Sequence, residues 1–238
     1  NGEGLQHQDG HSHLLSSAIP NCVSYDPCYS YELAVIIHNG LERMFVNNEP
    51  IYYYVTLMNE NYPHQSMPDG AEDGIEKGMY LLCSKGKSKK KMVRLLGSGA
   101  ILREVEKAAD LLLELGISSQ VWSVTSFIEL ARELRDIDRQ NLLNLEEDHL
   151  VSYVGECLEG DRPVIAASDY VKAVPEQLRS AIQAPYHVLG TDGFGRSDTR
   201  EKLRQFFEVN HQFIAYTALV KLYEIGVCEK KMLSDFKK

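Results

Sequence analysis

The chain has 238 residues, 44% of them hydrophobic, and a formal net charge of −9. A chain of this length holds one large domain or one and a half and can bury roughly 70–75% of its unfolded surface. With no apolar run approaching ~20 residues it is expected to be soluble and without a membrane span, and its acidic balance argues against nonspecific nucleic-acid binding, which needs clustered cations to neutralise phosphates.

Position 1 is Asn rather than Met, and no basic-then-apolar leader follows, so no targeting peptide is visible. The chain is read as trimmed, or as a piece of something longer. Cys22, Cys28, Cys83, Cys157 and Cys228 are scattered and lack C-x-x-C spacing. That suits reduced thiols in a cytoplasmic protein better than a disulfide framework or a zinc site. None has an activating neighbour in sequence, so core or surface thiols are expected.

Residues 1–13, Asn-Gly-Glu-Gly-Leu-Gln-His-Gln-Asp-Gly-His-Ser-His, mix three glycines, three histidines and two carboxylates without apolar periodicity. They read as a loop. Such a loop suits chemistry on a rigid scaffold, and it equally suits a hydrophilic terminus. Cys22–Tyr25 is a short strand candidate between Pro20-Asn21 and Asp26-Pro27. From Tyr29 to Met44, Leu33, Ile36, Ile37, Leu41 and Met44 recur at three- and four-residue steps, predicting a helix with one buried face. His38 in that helix reads as a structural or rim histidine. The run Ile51–Met58 reads as a strand covered on both faces, and strand, helix and strand make a right-handed crossover unit.

Asn59–Gly70, with two prolines and a terminal Asp-Gly, has the composition of an interdomain linker. Residues 71–80 predict a short helix entering a strand. Five lysines in Lys85–Lys91 read as a solvated hairpin turn before strand Met92–Leu96. A helix follows over about Ala100–Leu115, with Leu102, Val105, Ala109, Leu112 and Leu113 inward. Strand Gln120–Val124 comes next, then a helix from Phe127 with Ser126 as its N-cap. Further helices are expected at about Glu147–Leu158, Val171–Ile182, Thr199–Val209 and His211–Ile225, with one more from about Glu229. Strands are expected at Pro163–Ala167 and Tyr186–Leu189. The alternation predicts an α/β class with a mostly parallel sheet flanked by helices.

Several longer strings carry a resemblance: GEGLQHQDGHSHLLSSAIPNCVSYDP, YELAVIIHNGLERM, LMNENY, GAEDGIEKGMYLL and DGFGRSDTREKLRQFFEV. In order, they resemble the transketolase-like, thiamine-diphosphate-dependent enzymes, and within them the family of homodimeric pyruvate dehydrogenase decarboxylating components. The resemblance implies that residues 1–66 end a pyrimidine-binding domain and that 67–238 form a transketolase-like carboxy-terminal domain. It implies a coenzyme, thiamine diphosphate with Mg²⁺, whose thiazolium carbon attacks pyruvate. Carbon dioxide then leaves, and the acetyl unit passes to a lipoyl domain of a dihydrolipoamide acetyltransferase. His7 stands at the family's active-centre histidine and Glu3 at a nearby polar position. A histidine there can donate to a developing oxyanion or relay a proton. Sugar-transferring relatives carry an Asp where Glu3 stands and follow the histidine with Gln-Pro. Here Gln8-Asp9 follows, which favours a 2-oxo acid over a ketose.

No Gly-Asp-Gly followed by Asn-Asn occurs, so the diphosphate and Mg²⁺ grip is expected outside this chain, and the chain alone is expected to be inactive and not to bind the coenzyme. His7, His11 and His13 with Asp9 form a conceivable metal set, but Gly10 between them opposes a rigid cage. Gly97-Ser98-Gly99, at a strand-to-helix turn, could hold an anion or serve as a tight turn. It lacks the third glycine of a dinucleotide fingerprint and the Gly-Lys-Ser/Thr of a P-loop. Asp192–Asp198 reads as a structural loop with Arg196 in an ion pair or interface. The alternatives are another transketolase-like enzyme and a noncatalytic α/β module that binds an effector at Gly97–Gly99.

Overall fold

The computed structural model describes residues 8–146 and 148–236 of the chain. Glu3 and His7 lie outside the described residues. Helix α1 (Ser12–Ser17) leads into strand β1 (Cys22–Tyr25), and helix α2 (Ser30–Leu41) carries the chain to β2 (Tyr52–Val55). The two strands pair in parallel, with Cys22 opposite Tyr52 and Tyr25 opposite Val55. After α3 (Glu72–Lys77) come β3 (Met79–Lys85) and β4 (Met92–Gly97). They are followed by α4 (Leu102–Glu114), β5 (Ser118–Val124), α5 (Phe127–Leu143) and α6 (Tyr153–Cys157). The rest is β6 (Val164–Ala167), β7 (Tyr186–Leu189), α7 (Arg200–Phe206), α8 (His211–Glu224) and α9 (Lys230–Phe236).

Strands β3 to β7 form one sheet in the order β3-β5-β4-β6-β7, parallel except for the antiparallel edge pair β3–β5. The expected α/β class with a mostly parallel sheet is what the chain forms. Alternate residues of its strands face opposite layers. Val93, Leu95, Val121, Ile165 and Ala167 pack toward α4 and α8. Leu96, Val124, Val164 and Ala166 pack toward α5 and the segment after β6. A sheet with helices on both faces buries both registers of every central strand, which is why these strands are nearly continuous apolar runs.

Four local expectations are corrected. Lys85–Lys91 is no hairpin turn, because β5 lies between β3 and β4 and pairs with both. Lys87, Lys89, Lys90 and Lys91 are nonetheless exposed, as a solvated turn requires. The helix expected at about 147–158 shrinks to α6. The Asn141 side chain holds Leu150 by accepting from its N–H at 2.8 Å and donating to its carbonyl at 2.9 Å, and Ser152 then caps the shorter helix through the Gly155 N–H. The helix expected at 171–182 is a 3-10 turn over Pro175–Ala181. Pro175 has no N–H to give to the Val171 carbonyl, as an α-helix from 171 would need, and that carbonyl takes the Val174 N–H at 3.0 Å instead. Strand β2 is only half covered, not buried on both faces.

The predicted buried face of α2 also holds only in part. Ile36 is buried, but Ile37 and Leu41 are about half exposed, at 49% and 50%. The helix continues as a π-helical turn over Glu42–Val46, where Phe45 and Val46 are 72% and 71% exposed. Residues 59–70 have linker composition but are tied down. Tyr62 stacks on His64 at 4.8 Å and lies under the Arg103 guanidinium at 4.3 Å.

Candidate functional site

The described part of the first loop is anchored one residue at a time. The Asp9 carboxylate accepts from the N–H groups of His11 at 3.1 Å and Ser12 at 3.0 Å, and from the Ser12 hydroxyl. This Asx turn starts α1. His13, only 3% exposed, is held at both ring nitrogens, with Nδ1 3.0 Å from the Ser24 hydroxyl and Nε2 2.9 Å from that of Thr56. Tyr170 meets the ring edge-on at 4.5 Å.

Thr56 donates its one hydroxyl proton to Asp26 Oδ1 at 2.7 Å. His13 must therefore donate from Nε2 and accept from Ser24 at Nδ1, the neutral tautomer. Burial pushes the His13 pKa down to about 4, against the pull of Asp9. Burial also pushes the Asp26 carboxyl up to about 6, although hydrogen bonds from Thr56 and Ser98 hold it back. Ser24, His13, Thr56 and Asp26 thus form one buried polar chain. The cavity beside it measures about 10 Å³, room for one water at most.

Asp26 also decides what the Gly97–Gly99 turn holds. The Gly99 N–H donates to the Asp26 carbonyl at 3.0 Å, and the Ser98 side chain bonds its carboxylate. Gly99 has φ of +47°, and a Cβ there would lie 2.5 Å from Asp26 Oδ2. The anion at this strand-to-helix turn is the protein's own carboxylate, so an external effector has no place there.

A wider crevice of about 360 Å³ lies between the first loop and the segment after β7, with Gln8, Asp9, Asp169, Arg196, Arg200 and Arg204 among its walls. Glu60 gathers Arg103 at 3.5 Å, Arg204 at 3.6 Å and Arg200 at 3.7 Å. Glu104 takes Arg204 at 3.4 Å and the His211 ring at 2.7 Å. Burial works against ionising Glu104, but hydrogen bonds from His211 and Lys107 hold its carboxyl down at about 2. Arg196, expected in an ion pair or interface, lies over the Phe206 ring at 5.8 Å.

Of the four residues weighed as a metal set, His7 lies outside the described residues, His11 is exposed, His13 is buried in hydrogen bonds and Asp9 is committed to its turn. Among the described residues no group of three or more His, Cys, Asp or Glu could hold a metal ion. All five cysteines are free thiols, and burial pushes those of Cys28, Cys83, Cys157 and Cys228 up. Sequence reasoning missed Asp26, Tyr170 and Glu32. The last accepts four hydrogen bonds: from the Cys28 and Tyr29 N–H groups and from the Tyr80 and Ser123 hydroxyls.

Residues 78–210, more than half of the chain, match the family described as the transketolase-like TK C-terminal domain. The chain belongs to that family. Residues 1–65 match the pyruvate dehydrogenase E1 component middle domain, and Glu3 and His7 fall within this stretch. The chain is 54% identical over 238 residues to the pyruvate dehydrogenase E1 component of Pseudomonas aeruginosa, and 52% identical to that of Escherichia coli K12. Each match takes in 99% of this chain and 27% of the relative, so the chain spans about a quarter of the length of the curated relatives it matches. Among solved structures, transketolase from Leishmania mexicana superposes with a TM-score of 0.64 at 19% identity, over 94% of this chain and 28% of that one. A split-gene transketolase described as an inactive β4 tetramer gives 0.61 at 18% identity, over 92% of this chain and 63% of that one. These two likenesses speak for the fold. Among the described residues no helix is long and apolar enough to cross a membrane.

Proposed function

We propose that the chain is part of a pyruvate dehydrogenase decarboxylating component. This oxidoreductase decarboxylates pyruvate and passes the acetyl group to lipoyl groups of a dihydrolipoamide acetyltransferase. The observation that carries the reading is 54% identity sustained over 99% of the chain, through both the active-centre segment and the carboxy-terminal α/β part. Identity of that kind favours the 2-oxo-acid enzyme over the sugar-transferring transketolases, matched in structure at only 19%. The proposal includes a cytoplasmic homodimer as the parent enzyme. It also divides the chain into 1–66, the end of the pyrimidine-binding domain, and 67–238, the carboxy-terminal domain.

In this reading His7 is the catalytic donor and Glu3 a polar neighbour. A fixed imidazole N–H aimed at the keto oxygen of pyruvate stabilises the charge that gathers there. Such a donor is worth roughly 3–4 kcal/mol where one has been removed from other enzymes. Thiamine diphosphate, with Mg²⁺, supplies a nucleophilic carbon when bound in the whole enzyme. The described residues do not suit that coenzyme's diphosphate: Arg200 and Arg204 in the wider crevice face Glu60 and Glu104, and the chain carries no Gly-Asp-Gly followed by Asn-Asn. The chain alone is therefore proposed to be inactive, and calorimetric detection of micromolar coenzyme binding to it would overturn that part.

The full-length parent enzyme tests the rest. His7→Ala is expected to lower kcat for pyruvate by about 10²–10³-fold, and unchanged turnover would end the reading. A panel of 2-oxo acids and ketoses, scored by carbon dioxide release and lipoyl acylation, is expected to single out pyruvate.

A further inference from the structure

Gly195 sits in the segment between β7 and α7 with a backbone that any residue can adopt, since its φ is outside the left-handed region. Its neighbour Gly193 is the opposite case, with φ of +80° and open space where a side chain would go. What restricts Gly195 is the first loop. A Cβ there would overlap the Gln8 Cβ and stand 2.5 Å from the Gln8 Cγ, closer than real Cβ contacts come. Two more groups of the carboxy-terminal part hold the same segment. The Val171 N–H donates to the Gly10 carbonyl at 3.0 Å, and Tyr170 sits against the His13 ring. Gln8 is one peptide bond from His7.

We propose that the carboxy-terminal part acts on catalysis by fixing residues 8–13, with Gly195 as a positioning residue for Gln8, the covalent neighbour of His7. The proposal rests on the assignment of His7 made above. A hydrogen-bond donor to a reacting oxygen loses most of its value when displaced, and misplacement by about 1 Å can cost on the order of 10²-fold in rate. Any side chain at 195 must push Gln8 and its own loop apart, and Gln8 is joined to His7 by a peptide bond. The same reasoning gives the carboxy-terminal domain a role in the reaction without contact with substrate.

The test is a double-mutant cycle in the full-length parent enzyme, with pyruvate as substrate and kcat and KM read separately. Gly195→Ala is expected to lower kcat by about 10- to 100-fold with KM within about 3-fold, and to lower it little further in a His7→Ala background. Gln8→Gly, which clears the space a Cβ at 195 would fill, is expected to restore most of the kcat lost by Gly195→Ala. Gly193→Ala, which strains the same loop without touching Gln8, is expected to leave kcat within about 2-fold.

If Gly195→Ala leaves kcat unchanged while His7→Ala lowers it about 10²–10³-fold, the positioning role falls and the assignment of His7 stands. If His7→Ala itself has no effect, the assignment falls and takes this proposal with it. If Gly195→Ala costs the same factor with and without His7, or Gln8→Gly restores nothing, the glycine is only structural and the proposal is overturned. Circular dichroism and Tm establish folding first. Should Gly195→Ala not fold, Tyr170→Leu enters the same cycle with the same expected non-additivity.

Discussion

His13 and Asp26 sit at opposite ends of one Thr56 hydroxyl, and their protonation works on stability with opposite signs. His13 is held at about 4 against an ordinary 6.5, so between these values the unfolded chain binds the extra proton. Its contribution is complete above about 6.5 and is lost as pH falls toward 4. Asp26, raised from 3.8 to about 6, does the reverse: the fold gains as pH falls through 6. His13→Asn keeps a donor and an acceptor but removes the titration. The variant is therefore expected to lose less stability than the parent sequence between pH 7 and pH 5, by up to about 1.4 kcal/mol per pH unit, read as a smaller fall in Tm. Parallel Tm curves would show that His13 is not the group responsible. None of this was legible in sequence, because the partners of His13 are 11 and 43 residues away. The Gly97–Gly99 turn was visible as a special backbone site, but its anion, Asp26, lies far upstream.

At the scale of elements, Glu32 at the start of α2 binds that helix to the sheet. One oxygen accepts from Cys28 at 2.6 Å and Tyr29 at 2.9 Å, and the other from Ser123 at 2.5 Å and Tyr80 at 2.7 Å. Burial pushes its carboxyl up from the ordinary value while these four donors oppose the rise. Glu32→Ala would strand the Cys28 and Tyr29 N–H groups and the Ser123 hydroxyl, at roughly 1–3 kcal/mol for each one left buried and unsatisfied, while the Tyr80 hydroxyl keeps that of Tyr31 at 2.6 Å. A loss of about 3 kcal/mol or more is expected in urea unfolding, and a loss below 1 kcal/mol would show that water replaces the carboxylate freely. Strands and long amphipathic helices were readable because buried strands are apolar runs and α4 and α5 keep a periodic face. The segments at 147–158 and 171–182 were not. Their helical tendency is overridden by Asn141, which takes the Leu150 carbonyl a helix would need, and by Pro175, which has no N–H to offer Val171.

For the whole molecule, the α/β class was legible from the alternation of elements, while the strand order was not. Nothing local in residues 79–97 announces that β5 inserts between β3 and β4. The buried face assigned to α2 from its spacing was also incomplete. Ile37 and Leu41, with Phe45 and Val46 beyond, form an uncovered apolar strip. A strip of this kind favours association. The isolated chain is expected to show a concentration-dependent sedimentation coefficient, and Phe45→Glu with Leu41→Glu should abolish it. A monomer at all concentrations would show that the strip is too small to drive association.

The seam between the two halves has a consequence for how the protein comes apart. Asp26 plugs a turn of the far half, Glu32 draws on Tyr80 and Ser123 across the same seam, and Val171 clasps Gly10 from the other side. Severing the chain near residue 66 would leave the Tyr80, Ser98 and Ser123 hydroxyls without their acids on one side and the Asp26 and Glu32 carboxylates stranded on the other. The border seen in sequence is no line of weakness, and the two portions should melt together as one body.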